Sequence, residues 1–121
     1  MFFYLYTSNA APSAPWGLSA TIAGPTWLQM SWYAPDTLNG VISYYTVVLN
    51  SSTSSVTLNT SSNATTLNVT GLSPCTYYWF AVSATTGCGA VCTGPLSSTA
   101  YAYTEADSTN RTFLFTLARL L

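Results

Sequence analysis

The chain has 121 residues, a formal net charge of −1, no histidine and no lysine, and charged residues make up only 4% of it. Hydrophobic residues make up 49% and aromatic residues 15%, which is enough apolar material for a folded core. Two arginines cannot neutralise a nucleic-acid backbone, and the missing residue types exclude a Ser-His-Asp triad, an imidazole metal site and a P-loop. Binding and structural roles remain, and no cofactor or nucleic-acid partner is implied.

Seven short runs with the period-two alternation of β-strands follow one another along the chain, separated by Pro, Gly, Asn and Ser. In the second run, Leu28, Met30 and Trp32 share one face, and the Asn39-Gly40 turn leads into the third. This spacing predicts an all-β, antiparallel two-sheet sandwich. The predicted strands cover residues 14–21, 27–32, 42–49, 56–58, 66–69, 77–84 and 97–104.

Four motifs occur in a characteristic order between Ala14 and Thr104. They are Leu28-x-Met30-x-Trp32 followed by Pro35, the Asn39-Gly40 turn before Ile42, Tyr45 and Val47, the run Leu72-x-Pro74-x-Thr76-x-Tyr78, and Gly94-Pro95 before the last strand. Together they resemble a fibronectin type III domain. The resemblance implies a seven-stranded, immunoglobulin-like sandwich without enzymatic activity. The second strand has no cysteine, so the disulfide-centred immunoglobulin domain does not fit.

Three segments follow from this resemblance: an N-terminal extension (1–11), the fibronectin type III-like sandwich (12–104) and an apolar C-terminal tail (105–121). In the tail, Phe113, Leu117 and Leu121 fall on one helical face, whereas 112–116 also has high β propensity. We favour the helix and expect the tail to drive association. It is shorter than the roughly 20 residues that span a membrane.

The chain has three cysteines. Cys88 and Cys92 flank a glycine-containing loop that favours a disulfide between them over two free thiols, and a zinc site lacks further ligands. Cys75 is then left over, either as a buried inert thiol or as a site for pairing with another chain.

Five N-glycosylation sequons point to the secretory route. Four of them lie close together, so we expect one glycosylated face. We also expect an extracellular or cell-surface setting. The chain itself is expected to be a piece of a larger extracellular protein or a short gene product related to one. The acceptor residues are Asn50, Asn59, Asn63, Asn68 and Asn110.

Outward-facing aromatic residues are predicted at Tyr44, Tyr77 and Trp79, and on the last strand at either Tyr101 and Tyr103 or their alanine neighbours. Such a row fits a protein or sugar interface, although cross-strand pairing alone also explains it. The few carboxylates are expected at opposite ends of a sandwich without a deep cleft, which disfavours an enzyme.

The function that we expect is an extracellular interaction or adhesion module, binding a protein ligand or neighbouring domains or acting as a spacer. One alternative is a self-assembling structural subunit, since so little charge opposes self-association. Another is a carbohydrate-binding accessory module. A membrane is a partner only through the tail or a flanking segment.

Overall fold

The computed structural model describes residues 10–106, which form seven β-strands. The predicted strands are all present, and the fifth has the predicted limits. The strands are β1 (Trp16–Ala23), β2 (Leu28–Tyr33), β3 (Ile42–Asn50), β4 (Ser55–Asn59), β5 (Thr66–Val69), β6 (Tyr77–Thr86) and β7 (Ala100–Tyr103).

The strands form two antiparallel sheets, with the orders β1-β2-β5 and β4-β3-β6-β7. This arrangement confirms the predicted immunoglobulin-like sandwich. The loops 34–41, 60–65 and 87–99 gather at one end, which we call the disulfide end. The connections 24–27, 51–54 and 70–76 gather at the opposite end, which we call the corner end.

The core lies between the sheets and follows the alternation of the strands. Leu28, Met30 and Trp32 of β2 are buried, as predicted. The Trp32 ring meets the Tyr45 ring of the other sheet edge-on, with centroids 5.3 Å apart and an interplanar angle of 67°. The other main contributors are Val47, Leu49, Val69, Tyr78, Phe80 and Val82.

A register shift in β3 lets Ile42 and Tyr45, both residues of the second motif, face the core. Ile42 and Tyr45 are three residues apart, so strict alternation would put them on opposite faces. The pairing of β3 with β6 shifts between Ile42 and Tyr44, as a β-bulge does. Tyr45 is consequently fully buried, and Ile42 packs against the core.

The turn before β6 is fixed by a tyrosine corner, in which a tyrosine hydroxyl bonds to the backbone a few residues upstream. The Tyr78 hydroxyl accepts a hydrogen bond of 3.0 Å from the Ser73 backbone N–H. The buried Thr104 hydroxyl donates to the Ser73 carbonyl at 2.6 Å and accepts from the Thr76 N–H at 3.0 Å. These bonds hold the end of β7 against the start of β6.

β7 is shorter than the predicted strand at 97–104. Residues before Ala100 follow an irregular path, yet Ser97 still bonds to Val82 through its backbone N–H and its hydroxyl. Within residues 10–106 the one helical element is a 3-10 turn, Gly89–Cys92, and no helix there is long and apolar enough to span a membrane. The predicted tail helix lies outside the described residues.

Candidate interaction face

Four aromatic side chains lie together on the outer face of the four-stranded sheet, near the corner end. The register of β6 and β7 pairs Tyr77 with Tyr103 and Trp79 with Tyr101, and side chains opposite each other share a face. We call these four residues the aromatic patch. The sequence left open whether the tyrosines or the alanines of the last strand face outward. Ala100 and Ala102 pack against the core, so the tyrosines face outward.

Tyr77 is the centre of the aromatic patch. Its ring centroid lies 4.8 Å from that of Tyr103, 5.7 Å from that of Tyr101 and 6.0 Å from that of Trp79. The Tyr77 and Tyr101 rings are nearly parallel, at 11°. The exposed fractions of 38% for Tyr77, 60% for Tyr101 and 66% for Tyr103 leave the ring faces accessible.

The surroundings of Tyr77 disfavour its ionised form. Partial burial raises the pKa of the phenol above 10.0, and repulsion from the phenolates of Tyr101 and Tyr103 raises it further. No strand in the described part of the chain contains an ionisable side chain other than tyrosine. The strands that carry the aromatic patch therefore contribute no acidic or basic side chain to this face.

Tyr44 does not belong to the aromatic patch. It pairs with Thr85, six residues along β6 from Trp79, which is a separation of about 20 Å at 3.3 Å per residue. Of the predicted face, Tyr77 and Trp79 lie together with Tyr101 and Tyr103, whereas Tyr44 lies apart from them, and a binding role for this face stays a prediction. Alternation gave the outward direction of Tyr44 but not its position along the sheet, which depends on the register.

The aromatic patch borders a polar region of the same sheet. Asn50 of β3 lies directly opposite Trp79 of β6, and Ser55 of β4 lies opposite Asn50 on its other side. A single row across four strands thus reads Ser55, Asn50, Trp79 and Tyr101. A sequon therefore begins at the edge of the aromatic patch.

The sequons are distributed around one side of the sandwich. Asn59 lies on the edge strand β4 and Asn68 on the edge strand β5, and both are exposed. Asn63 is exposed in the loop that joins these two strands. Asn50 lies one strand further in, and Asn110 lies outside the described residues. Of the four sequons expected on one face, three lie on the edge strands β4 and β5 and on the loop that joins them, whereas Asn50 lies on the inner strand β3.

Cys88 and Cys92 form a disulfide with a Cα–Cα distance of 5.5 Å, as predicted from their spacing. The bridge closes the 3-10 turn at the disulfide end, and Cys92 is fully buried. Cys75 has no disulfide partner in the chain and is exposed, with a φ of 52°. Of the two alternatives for Cys75, the buried one is wrong.

A second aromatic pair, on the outer face of the other sheet, was not found from the sequence. Trp16 and Tyr33 stack with centroids 4.4 Å apart. Between Trp16 and Ser19, Gly17 has a φ of +66°, and a Cβ atom there would lie 2.5 Å from the Tyr33 ring. The glycine inside a strand was the available signal, because it often marks a bulge or a close approach.

The two carboxylates in the described part of the chain, Asp36 and Glu105, are not brought together. Asp36 lies in the loop between β2 and β3, at the disulfide end. Glu105 lies at the corner end, where its backbone bonds to Gly24 and Cys75. Among residues 10–106 no group of three His, Cys, Asp or Glu side chains could hold a metal ion.

The family model for the fibronectin type III domain matches residues 13–99, and the chain belongs to this family. Domains of this family are typically non-catalytic modules for protein interaction or spacing in multidomain proteins, and they are common in extracellular and cell-surface proteins. Comparison with curated protein sequences gives no significant match.

Solved structures share the fold at low sequence identity. A multidomain fragment of titin is 20% identical, with a TM-score of 0.67. The match covers 78% of this chain and 32% of the titin chain. A fragment of chicken CNTN1 with domains FN1–FN3 is 19% identical with a TM-score of 0.65, covering 79% and 31%. A structure described as a myokine is 15% identical with a TM-score of 0.68, covering 78% and 99%. The chain thus spans about a third of the titin and CNTN1 structures.

Proposed function

We propose that this domain is a non-enzymatic, extracellular interaction module that binds a protein ligand or a neighbouring domain through the aromatic patch. The observation that carries the proposal is the grouping of Tyr77, Trp79, Tyr101 and Tyr103 on one open sheet face whose strands carry no Asp, Glu, Lys or Arg. Tyrosine and tryptophan are enriched at protein interfaces, because their rigid rings bury much area at little cost in conformational entropy.

The extracellular setting is supported by two independent features. Disulfides persist in oxidising compartments, and Cys88 is bonded to Cys92. Asn59, Asn63 and Asn68 are exposed within sequons, so their amide groups are accessible to glycosylation.

The setting is tested by secretion from a eukaryotic host and intact-mass analysis. We expect attached glycans, with a loss of mass of one glycan on Asn63→Gln and another on Asn68→Gln. Secreted protein without any glycan would contradict the extracellular proposal.

The interaction is tested by screening a tetramerised form of the domain against an array of recombinant extracellular domains. A specific ligand should lose binding when Tyr101→Ser and Tyr103→Ser are combined. Tyr33→Ser, which changes an exposed tyrosine of the opposite sheet, should leave binding unchanged and is the matched control.

Two outcomes would favour the alternatives that the sequence left open. Concentration-dependent oligomers in light scattering, abolished by the tyrosine substitutions, would indicate a self-assembling subunit. Binding to a glycan array with no protein ligand would indicate a carbohydrate-binding module. A ligand that is retained by the double tyrosine variant would show that the aromatic patch is not the interface.

A further inference from the structure

We propose that Asn50 carries an N-linked glycan whose first sugars pack on Trp79 and extend towards Tyr101, so that this carbohydrate covers one half of the aromatic patch. The inference rests on the proposed extracellular setting. It assigns a modification site, and it also assigns the occupant of the Trp79 and Tyr101 row. The Tyr77 and Tyr103 row remains open for a protein ligand.

The register places the attachment atom beside the indole. Asn50 and Trp79 are direct partners in the pairing of β3 with β6, so their Cβ atoms lie roughly 5 Å apart on the same face. Both residues are half-buried, and Leu49 on the opposite face of β3 is in the core. The Asn50 side chain therefore projects outward along the surface of the sheet, next to the ring.

The chemistry of the two groups is complementary. A pyranose ring presents C–H groups on its face, and an aromatic ring presents negative π density on its own. Neighbouring strands lie about 4.8 Å apart, so a sugar on Asn50 covers Trp79 and the next sugar reaches Tyr101. Trp79 offers the largest ring in this row.

The sequon is also placed where it can be modified. It runs from the last residue of β3 into the β3–β4 hairpin turn, and its hydroxyl residue, Ser52, is exposed. The oligosaccharide donor is a lipid-linked pyrophosphate. Transfer forms a bond from the Asn50 amide nitrogen to sugar C1 and breaks the C1–O bond to pyrophosphate. The amide proton and the lipid pyrophosphate are released.

Asn59 is the matched control site within the same sheet. It lies on the adjacent edge strand β4, opposite Thr46, whose hydroxyl donates a hydrogen bond of 2.9 Å to the Asn59 side-chain oxygen. No aromatic residue lies opposite Asn59 in the register. A glycan there has the same chemistry without the aromatic support.

The test compares two single-sequon proteins from a secretory host, one that keeps only Asn50 and one that keeps only Asn59. Each is melted before and after enzymatic removal of its glycan, with Trp79 or with Trp79→Thr. We expect the Asn50 glycan to raise the melting temperature by roughly 3–8 °C, a gain that Trp79→Thr abolishes. The Asn59 glycan should give a smaller gain that does not depend on Trp79.

Ser52→Ala provides a further control, because it keeps Asn50 but removes the hydroxyl that the sequon requires. Enzymatic release of the glycan leaves an aspartate in place of Asn50, so this variant, which keeps a neutral Asn50 and receives no glycan, separates the loss of the glycan from that new charge and should also lack the gain in melting temperature. Because each comparison is made within one variant, the cost of losing the Trp79 ring itself cancels. If Trp79→Thr does not fold, nuclear Overhauser contacts between the first sugar and the indole in the unsubstituted protein decide the question.

Two results would overturn the inference. One is an unoccupied Asn50 in protein that is glycosylated at its other sequons. The other is an Asn50 glycan whose stabilisation persists without Trp79 or which shows no contact with the indole. If no sequon at all is glycosylated, the extracellular proposal itself fails, which is a distinguishable outcome.

Discussion

Trp32 fills the space between the sheets with a side chain that is 3% exposed. Replacing it by alanine removes a large apolar volume and its edge-on contact with Tyr45. We expect Trp32→Ala to lower the free energy of unfolding by about 3–5 kcal/mol, measured by urea denaturation.

The matched control for this substitution is Trp16→Ala, because Trp16 is 51% exposed and stacks only at the surface. Its cost should be clearly smaller than that of Trp32→Ala, because about half of the Trp16 side chain is already exposed and its ring pair adds only about 0.5–1.5 kcal/mol to the area that it buries. Equal costs for the two tryptophans would show that Trp32 is not a core residue.

Tyr77 makes the stability sensitive to alkali. Its pKa in the folded state is raised above 10.0 by burial and by Tyr101 and Tyr103. The neutral phenol is therefore favoured by folding. This contribution is complete below pH 10.0 and is lost as the pH rises through the folded pKa. Burial raises the pKa of Tyr45 as well and acts in the same direction.

We expect the melting temperature to fall above pH 10.0, and Tyr77→Phe to make this fall smaller. Ultraviolet difference titration of tyrosinate should show one late-titrating group fewer in that variant. Tyr101→Phe, which removes one source of repulsion, should lower the pKa of Tyr77. A fall in melting temperature above pH 10.0 that is identical in all three proteins would contradict the assignment.

Single residues were predictable from the sequence wherever alternation or a turn fixes them. The core position of Trp32 was predictable because it continues the alternation of Met30 and precedes the Pro35 turn. The position of Tyr78 after a turn was predictable because a proline lies two residues before Thr76. The outward direction of Tyr101 and Tyr103 was not predictable, because Ala and Tyr alternate in β7 and either set is apolar. Only the pairing with β6 decides between them.

At the scale of elements, the Cys88–Cys92 bridge closes a very short loop. Chain entropy gives a stabilisation of about 2 kcal/mol for a loop of this length, near the lower end for disulfides. We expect Cys88→Ala combined with Cys92→Ala to lose about that amount in urea denaturation. Alanine is preferable to serine here, because Cys92 is fully buried and a hydroxyl would lack solvation.

The disulfide variant should keep the aromatic patch intact, because the bridge and the patch lie at opposite ends of β6. If the variant loses ligand binding as well as stability, the disulfide also maintains the conformation of the sheet beyond the 3-10 turn that it closes.

Strand existence was well predicted, whereas strand length was not. β5 is bounded by turn residues on both sides and has its predicted limits, Thr66–Val69. β7 is short because the preceding segment bonds to β6 only intermittently, through Gly94 and Ser97. Alternation continues through residues 97–99, so nothing in the sequence marks where regular pairing begins.

At the scale of the whole molecule, contacts reach slightly beyond the predicted domain limits of 12–104. The Ala11 carbonyl accepts a hydrogen bond of 2.7 Å from the Asn39 side chain. The Glu105 backbone bonds to Gly24 at 2.9 Å and to Cys75 at 3.1 Å. We therefore propose that residues 10–106 are the folding unit.

A chain that ends after Ala106 should keep its melting temperature and gain solubility, since it lacks the apolar tail. A chain that ends after Tyr103 is the matched comparison. It loses Thr104, whose hydroxyl and backbone bond to Ser73 and Thr76, and should lose about 2–4 kcal/mol at roughly 1 kcal/mol per bond. Failure of the Ala106 chain to fold would assign the tail to the core.

The opposite placement of the first and last contacts has a mechanical consequence. Within residues 10–106, the first contacts with the sandwich lie at the disulfide end, through Ala11 and Ser13, and the last lie at the corner end, through Glu105. A pull on both ends is then directed along the strands and across their hydrogen bonds, which lie perpendicular to them. Bonds in this arrangement break together in shear rather than one after another. In a series of such domains, each would act as a stiff link.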